Sequence, residues 1–213
     1  SGGSLKGVIT SRGREVTGSR LVMASGHSAR DTYEMLRNRG VALERKGFAM
    51  GVRIEHPAEL INEIQYGRSP FRDLLPAADY SLTAVNRSSG RGVYSFCMCP
   101  GGRIINSSSE RERLCTNGMS FSKRNHPFSN AAIVVTVSPD DFGTDVLGGI
   151  SLQRDLEAGA FSGGGGSFTA PAQRVTSFLN GRTDTELPPV SYRPGVAPAD
   201  LARHLPAWLA DEL

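Results

Sequence analysis

Tyr94-Ser-Phe-Cys-Met-Cys-Pro-Gly-Gly102 is the stretch on which the fold turns. From Val93 to Cys99 the apolar, aromatic and cysteine residues occur at the density of a buried strand, and Pro100 with Gly101 and Gly102 drives the backbone out of the ladder. Cys97 and Cys99 stand two apart, so on such a strand their side chains share one face. A glycine pair after proline also predicts that something approaches this turn closely.

Downstream, Arg103 to Asn106 is strand-like, Ser107 to Arg113 is a charged turn, and Cys115 to Phe121 carries Asn117-Gly118, a hairpin-turn signal between strand-like flanks. Ala131 to Val137 is a β-branched run bounded by Ser129-Asn130 and Ser138-Pro139, a clear strand. Leu147 to Phe161 predicts a helix with Ile150, Leu152, Leu156 and Ala160 on its apolar side. A glycine run, Gly163 to Gly166, precedes a short helix from Ala172 to Leu179, and the tail from Pro198 to Leu213 is amphipathic.

Upstream, Leu5 to Thr10 and Arg14 to Thr17 read as short strands around a turn at Ser11-Arg-Gly13, followed by a third strand, Arg20 to Ser25. Gly26 then opens a helix with a capping-box spacing at Ser28-Ala-Arg-Asp31, closed by Gly40. Phe48 to Ile54 alternates as a strand, a helix starts at Pro57 and runs to about Tyr66, and Asp79 to Ala84 is a further strand. Strands and helices mix without strict βαβ alternation. The expected class is α+β, a mixed and largely antiparallel sheet with packed helices, plus a partial strand-turn-helix piece at the start.

At 213 residues, 38% apolar and 21% charged, the chain can bury a core. No apolar run is long enough to span a bilayer and no secretory signal opens the sequence, so the cytoplasm is the expected compartment. Three cysteines argue against a disulfide framework, and with scattered histidines they supply no four-ligand spacing for a structural metal. A net charge of +3 comes with basic residues interspersed among acids and no dense Lys/Arg block, which argues against a nucleic-acid reader.

Several groups carry possible chemistry. At Ala24-Ser-Gly-His-Ser28 the helix start exposes amides that favour a phosphate, although an ordinary strand-to-helix turn uses the same residues, and a full G-x-G-x-x-G is absent. Cys97 and Cys99 read either as redox or nucleophilic thiols or as small buried apolar residues. Arg53, Glu55 and His56 converge where a strand meets a helix, and an exposed ion pair with a capping role explains them too. Gln173 and Arg174 either reach a ligand or cap the helix behind them. No nucleophile elbow supports a hydrolase.

Four stretches, Gly26-His-Ser-Ala-Arg-Asp31, Phe48-Ala-Met-Gly-Val-Arg-Ile-Glu-His-Pro57, Val93-Tyr-Ser-Phe-Cys-Met-Cys-Pro-Gly-Gly102 and Ala170-Pro-Ala-Gln-Arg-Val175, together with Thr116-Asn-Gly-Met-Ser120, resemble the uncharacterised FAD-dependent dehydrogenases. In those bacterial flavoproteins a substrate-side domain is inserted into a two-lobed FAD-binding fold. The family's glycine-rich dinucleotide fingerprint and its second flavin-binding segment have no counterpart here. The resemblance therefore implies an inner fragment, with residues 1–40 a partial FAD-binding lobe and residues 41–213 the inserted substrate-side domain with a return segment.

On that resemblance Gly26, His27 and Ser28 lie near the nucleotide half of FAD. Gly101, Gly102, Asn117, Gly118, Gln173 and Arg174 approach the isoalloxazine and the substrate cavity, and Cys97 and Cys99 are candidates to exchange electrons with the flavin. The implied partners are the missing FAD-binding lobe and a small-molecule substrate, and the fragment alone is expected to be inactive. The competing expectation is a nucleic-acid or protein binding module with no redox role, for which salt-sensitive nucleic-acid binding would speak.

Overall fold

Strand formation follows the apolar alternation more closely than any turn signal. The computed structural model describes residues 3–68 and 70–213 and divides them between Ala42 and Leu43 into two units.

The first unit holds a hairpin of β1 (Gly7–Ile9) and β2 (Glu15–Thr17), in register at Val8 and Val16, and one helix, α1 (Arg30–Asn38). Gly40 closes α1: at φ +74° it lets the Val41 amide donate to the Leu36 carbonyl and its own amide to that of Arg37, the paired bonds of a Schellman cap. Two expectations are corrected here. The helix begins at Arg30 without a side-chain cap, because Asp31 bonds the neighbouring Thr32 amide instead of reaching back to Ser28. Arg20 to Ser25 is no strand, since no ladder partner faces it among the described residues, and Leu21 and Val22 stand 54% and 87% exposed.

The second unit is built on a four-stranded antiparallel sheet in the order β3 (Phe48–Pro57), β8 (Phe128–Val137), β5 (Gly92–Cys99), β4 (Thr83–Val85). The expected Asp79 to Ala84 strand is reduced to β4, whose three residues are those that face β5. Between β5 and β8 in sequence lie β6 (Gly102–Asn106) and β7 (Thr116–Ser120), an antiparallel pair. β9 (Ala170–Ala172) and β10 (Val196–Pro198) form a short parallel pair. The helices are α2 (Ala58–Tyr66), α3 (Gly148–Gly163), α4 (Val175–Leu179), α5 (Leu201–His204) and α6 (Ala207–Glu212). Pro206 separates the last two, so the amphipathic tail is two short helices. The helix expected from Ala172 is shortened, because Ala172 is spent on β9.

Period-two patterning sorts the sheet into two faces. Ala131, Val135 and Val137 of β8, all fully buried, share one face with Phe48, Met50, Ile54 and His56 of β3. α2, which follows β3 directly, buries Ala58 and Ile61. The opposite face carries Gly51, Arg53 and Glu55 of β3 across from Val134, Ala132 and Asn130 of β8, and it holds the polar groups. At the C-terminal end Leu209 is fully buried, while the Arg91 guanidinium pairs with Asp141 and lies 4.5 Å from the Trp208 ring centroid.

His56 is the one titratable group set into the apolar face of β3. Its ring lies 5.5 Å from that of Tyr80, neither ring nitrogen has a partner, and burial holds its pKa below the usual 6.5. The unfolded chain therefore takes up the proton first. His56 contributes full stability above about pH 6.5, and that contribution is lost as pH falls toward the lowered folded value. Thermal melts run from about pH 8 to pH 5 should show the fall, and His56→Leu should remove its share of it.

Candidate functional site

The turn at Pro100-Gly-Gly102 is closely approached, and the group that approaches is the chain's own backbone. Gly101, buried at φ +51°, leaves no room for a Cβ against the Arg124 carbonyl, and Gly102 none against that of Met119. The Gly101 amide donates to Ser129 Oγ at 3.0 Å, and its carbonyl accepts from His126 N at 3.2 Å.

Just before the turn, the strand does what period-two reading misses. Phe96 faces Ala132 and Cys99 faces Asn130, so Cys97 and Met98 oppose Ala131 alone: a β-bulge. Cys97 adopts φ +49°, a backbone conformation that side chains other than glycine rarely take. The bulge moves the alternation by one, which puts Phe96 and Cys99 on the same face and separates the two thiols. Cys97 is exposed and Cys99 is 6% exposed. The expectation that both thiols share a face is thereby corrected.

Arg53 is the centre of what remains. Its Nε and Nη2 donate to Asn130 Oδ1 at 3.0 and 2.7 Å, Nη2 donates also to the Cys97 carbonyl at 2.9 Å and lies 3.7 Å from Cys99 Sγ, and Nη1 donates to Asn117 Oδ1 at 3.3 Å. The bulge is what turns the Cys97 carbonyl toward the guanidinium. Gly118 is required beside it, because a Cβ there would overlap both Arg53 Nη2 and Asn130 Oδ1.

Asn117-Gly118 is accordingly no hairpin turn. Both residues lie inside β7, paired with Ile105 and Ile104, and neither has the positive φ that such a turn demands. The glycine serves close approach.

Every acceptor around Arg53 is neutral. Glu55, its neighbour on the same face, spends its carboxylate on the Ser191 amide at 2.8 Å and on the Ser191 hydroxyl, and no carboxylate among the described residues pairs with Arg53. Burial pushes the Cys99 thiol up, and the nearby Arg53 charge pulls the other way. The same order of causes raises the Tyr80 phenol. Asn130 is fully buried, and its Nδ2 has no acceptor. The cluster thus has more donors than acceptors.

The thiols should differ in reactivity. With iodoacetamide at about neutral pH, Cys97 and Cys115, both exposed, should alkylate at least about tenfold faster than Cys99, whose burial and raised pKa both suppress the thiolate. Peptide mass spectrometry over a time course measures this.

The remaining expected residues lie elsewhere. Gln173 staples its loop to its neighbours: its Nε2 donates to the Arg182 carbonyl at 2.5 Å, and its Oε1 accepts from Leu201 N at 3.0 Å. The Arg174 amide donates to Asp184 at 2.7 Å, and its side chain is 53% exposed beside that carboxylate. Gly26, His27 and Ser28 belong to the first unit, where Gly26 turns at φ +81° with open space around it. The structure brings Cys97, Cys99, Asn117 and Gly118 together around Arg53. The sequence does not single out Asn130, because Ser129-Asn130 reads there as a strand boundary; an asparagine set against a β-branched run is the available signal.

No helix among the described residues is long and apolar enough to cross a membrane, and no group of three or more His, Cys, Asp or Glu is placed to hold a metal ion. Fold and site together define an α+β domain with a donor-rich cluster on one polar sheet face. The chain belongs to the family described as FAD-dependent protein, C-terminal domain-like, whose profile matches residues 47–213. A Clostridium beijerinckii protein described as uncharacterized is 47% identical over 214 residues, covering 99% of this chain and 40% of that protein. The chain thus spans well under half the length of the relative it matches.

Proposed function

We propose that the chain is the substrate-side part of an FAD-dependent oxidoreductase and that its Arg53 face borders the flavin and the substrate cavity. The observation that carries this reading is the Arg53 cluster: a cation with only neutral acceptors, an orphaned amide donor and a glycine that admits the guanidinium, all on the polar face of the sheet in a chain of an FAD-dependent family. Surplus donors suit a ligand edge that carries hydrogen-bond acceptors, such as the carbonyl oxygens and ring nitrogens of a flavin or the carboxylate of a substrate.

In this reading FAD, when bound, supplies the hydride or electron transfer, and the residues of this chain orient the substrate and exclude water. Asn117 and Gly118 sit against Arg53, and the buried Gly101 and Gly102 set the shape of the turn that leads into β6. The exposed, unpaired stretch Arg20 to Ser25 supports a further proposal, that the first unit completes an FAD-binding lobe with another part of the longer protein. Cys97, the exposed thiol of the pair, is the one this reading turns toward a ligand. If replacing both Cys97 and Cys99 by serine leaves flavin turnover unchanged, the thiols have no redox part.

The test is a visible absorption spectrum of the full-length protein together with FAD titrated into the 213-residue chain. A visible flavin absorption band in the full-length protein, with weak or no binding by the chain, is the expected result. A full-length protein that is colourless and cannot be loaded with FAD overturns the reading.

A further inference from the structure

Arg53 lies on the polar face of the sheet among unlike neighbours. In register, Ala132 of β8 is flanked by Arg53 on β3 and by Phe96 on β5, and directly opposed residues of antiparallel strands project to the same side. Phe96 is 62% exposed, an unusual state for an aromatic residue at the middle strands of a sheet. Ala132 between them in register is small and fills little of the space on this face between the two side chains. On the same face Gly51 of β3, opposite Val134, adds no side chain.

The charge balance points the same way. A guanidinium has five N–H donors; Nε, both Nη2 hydrogens and one on Nη1 are taken by Asn130, the Cys97 carbonyl and Asn117, which leaves the second Nη1 hydrogen without an acceptor among the described residues. The nearest carboxylate on the face, that of Glu55, is held by Ser191. The neutral acceptors fix the orientation of the guanidinium without neutralising it, as a residue prepared for an incoming anion requires.

We propose that Arg53 binds the carboxylate of the substrate, and that the substrate is a small carboxylic acid with an apolar or aromatic body that rests on Phe96 above Ala132. This deepens the proposed function and rests on it for the word substrate. The carboxylate site itself stands on the geometry of this chain.

Benzoate is the probe and benzamide its neutral counterpart, with inorganic phosphate as the non-specific anion. Binding to the 213-residue chain is followed by two-dimensional NMR, including the Arg53 Nε–H resonance, and in the full-length protein by perturbation of the flavin band. Benzoate is expected to saturate and to shift the Arg53 signal, with benzamide weaker by about tenfold or more because the charge-assisted bond is lost. Arg53→Gln should abolish the preference for benzoate over benzamide. Phe96→Ala, at an exposed position that leaves the fold intact, should weaken both ligands alike.

Equal affinity for benzoate and benzamide, phosphate competing as well as benzoate, or a benzoate preference that survives Arg53→Gln would each overturn the proposal. Saturable, Arg53-dependent benzoate binding in a full-length protein without a flavin band would leave the carboxylate site standing and defeat the flavoprotein reading. A flavin band with no benzoate binding would do the reverse.

Discussion

Gly101→Ala should destabilise the second unit by about 3–5 kcal/mol, read as a lower urea midpoint at an unchanged slope. Two costs add. The residue sits at φ +51°, where an alanine side chain costs about 1–2 kcal/mol. Its Cβ would also overlap the Arg124 carbonyl, and because that obstacle is backbone, the segment through Arg124 must move and loosen the Gly101 to His126 bond. Gly181→Ala separates the two costs, since Gly181 has φ +60° but open space around it and should lose only about 1 kcal/mol. Equal losses at the two positions would mean that the close approach contributes nothing.

Asn130→Leu is the second large effect, an expected loss of about 3 kcal/mol. Asn130 is fully buried and its Oδ1 takes two N–H bonds from Arg53, at 3.0 and 2.7 Å. Leucine keeps the volume roughly and deletes the acceptor, so a partly buried cation is left with the Cys97 carbonyl and a long bond to Asn117. The double variant Arg53→Met with Asn130→Leu should recover at least about 1 kcal/mol, because removing both partners leaves no unpaired charge. A double variant as unstable as the sum of the singles would show that Asn130 matters for packing and not for the guanidinium.

How much of this was legible in the residues depended on the range of the interactions. The β-branched run from Ala131 to Val137 lies within β8, Phe48 to Ile54 lies within β3, and Pro57 stands at the head of α2, because each is set by side chains a few positions apart. Gly40 was readable as a helix stop for the same reason. The failures had long-range causes. Arg20 to Ser25 has the composition of a strand, yet a strand exists only where a partner supplies its hydrogen bonds. Asn117-Gly118 has the chemistry of a turn, yet pairing with β6 and contact with Arg53 keep it extended.

The candidate site divides in the same way. Arg53, Cys97, Cys99, Asn117 and Gly118 each stood out in the sequence, but as members of separate motifs. Only the folded sheet joins positions 53, 97, 117 and 130 around one guanidinium, through hydrogen bonds that span up to 77 residues. The α+β class, the principal strands and helices, and the likeness to an FAD-dependent family are carried by the order of residues alone, because all of them rest on local pattern. Which thiol is exposed, what fills the glycine turn and which acceptors surround Arg53 follow only from folding, because a bulge, a close backbone approach and an uncompensated charge exist only between segments distant in the chain.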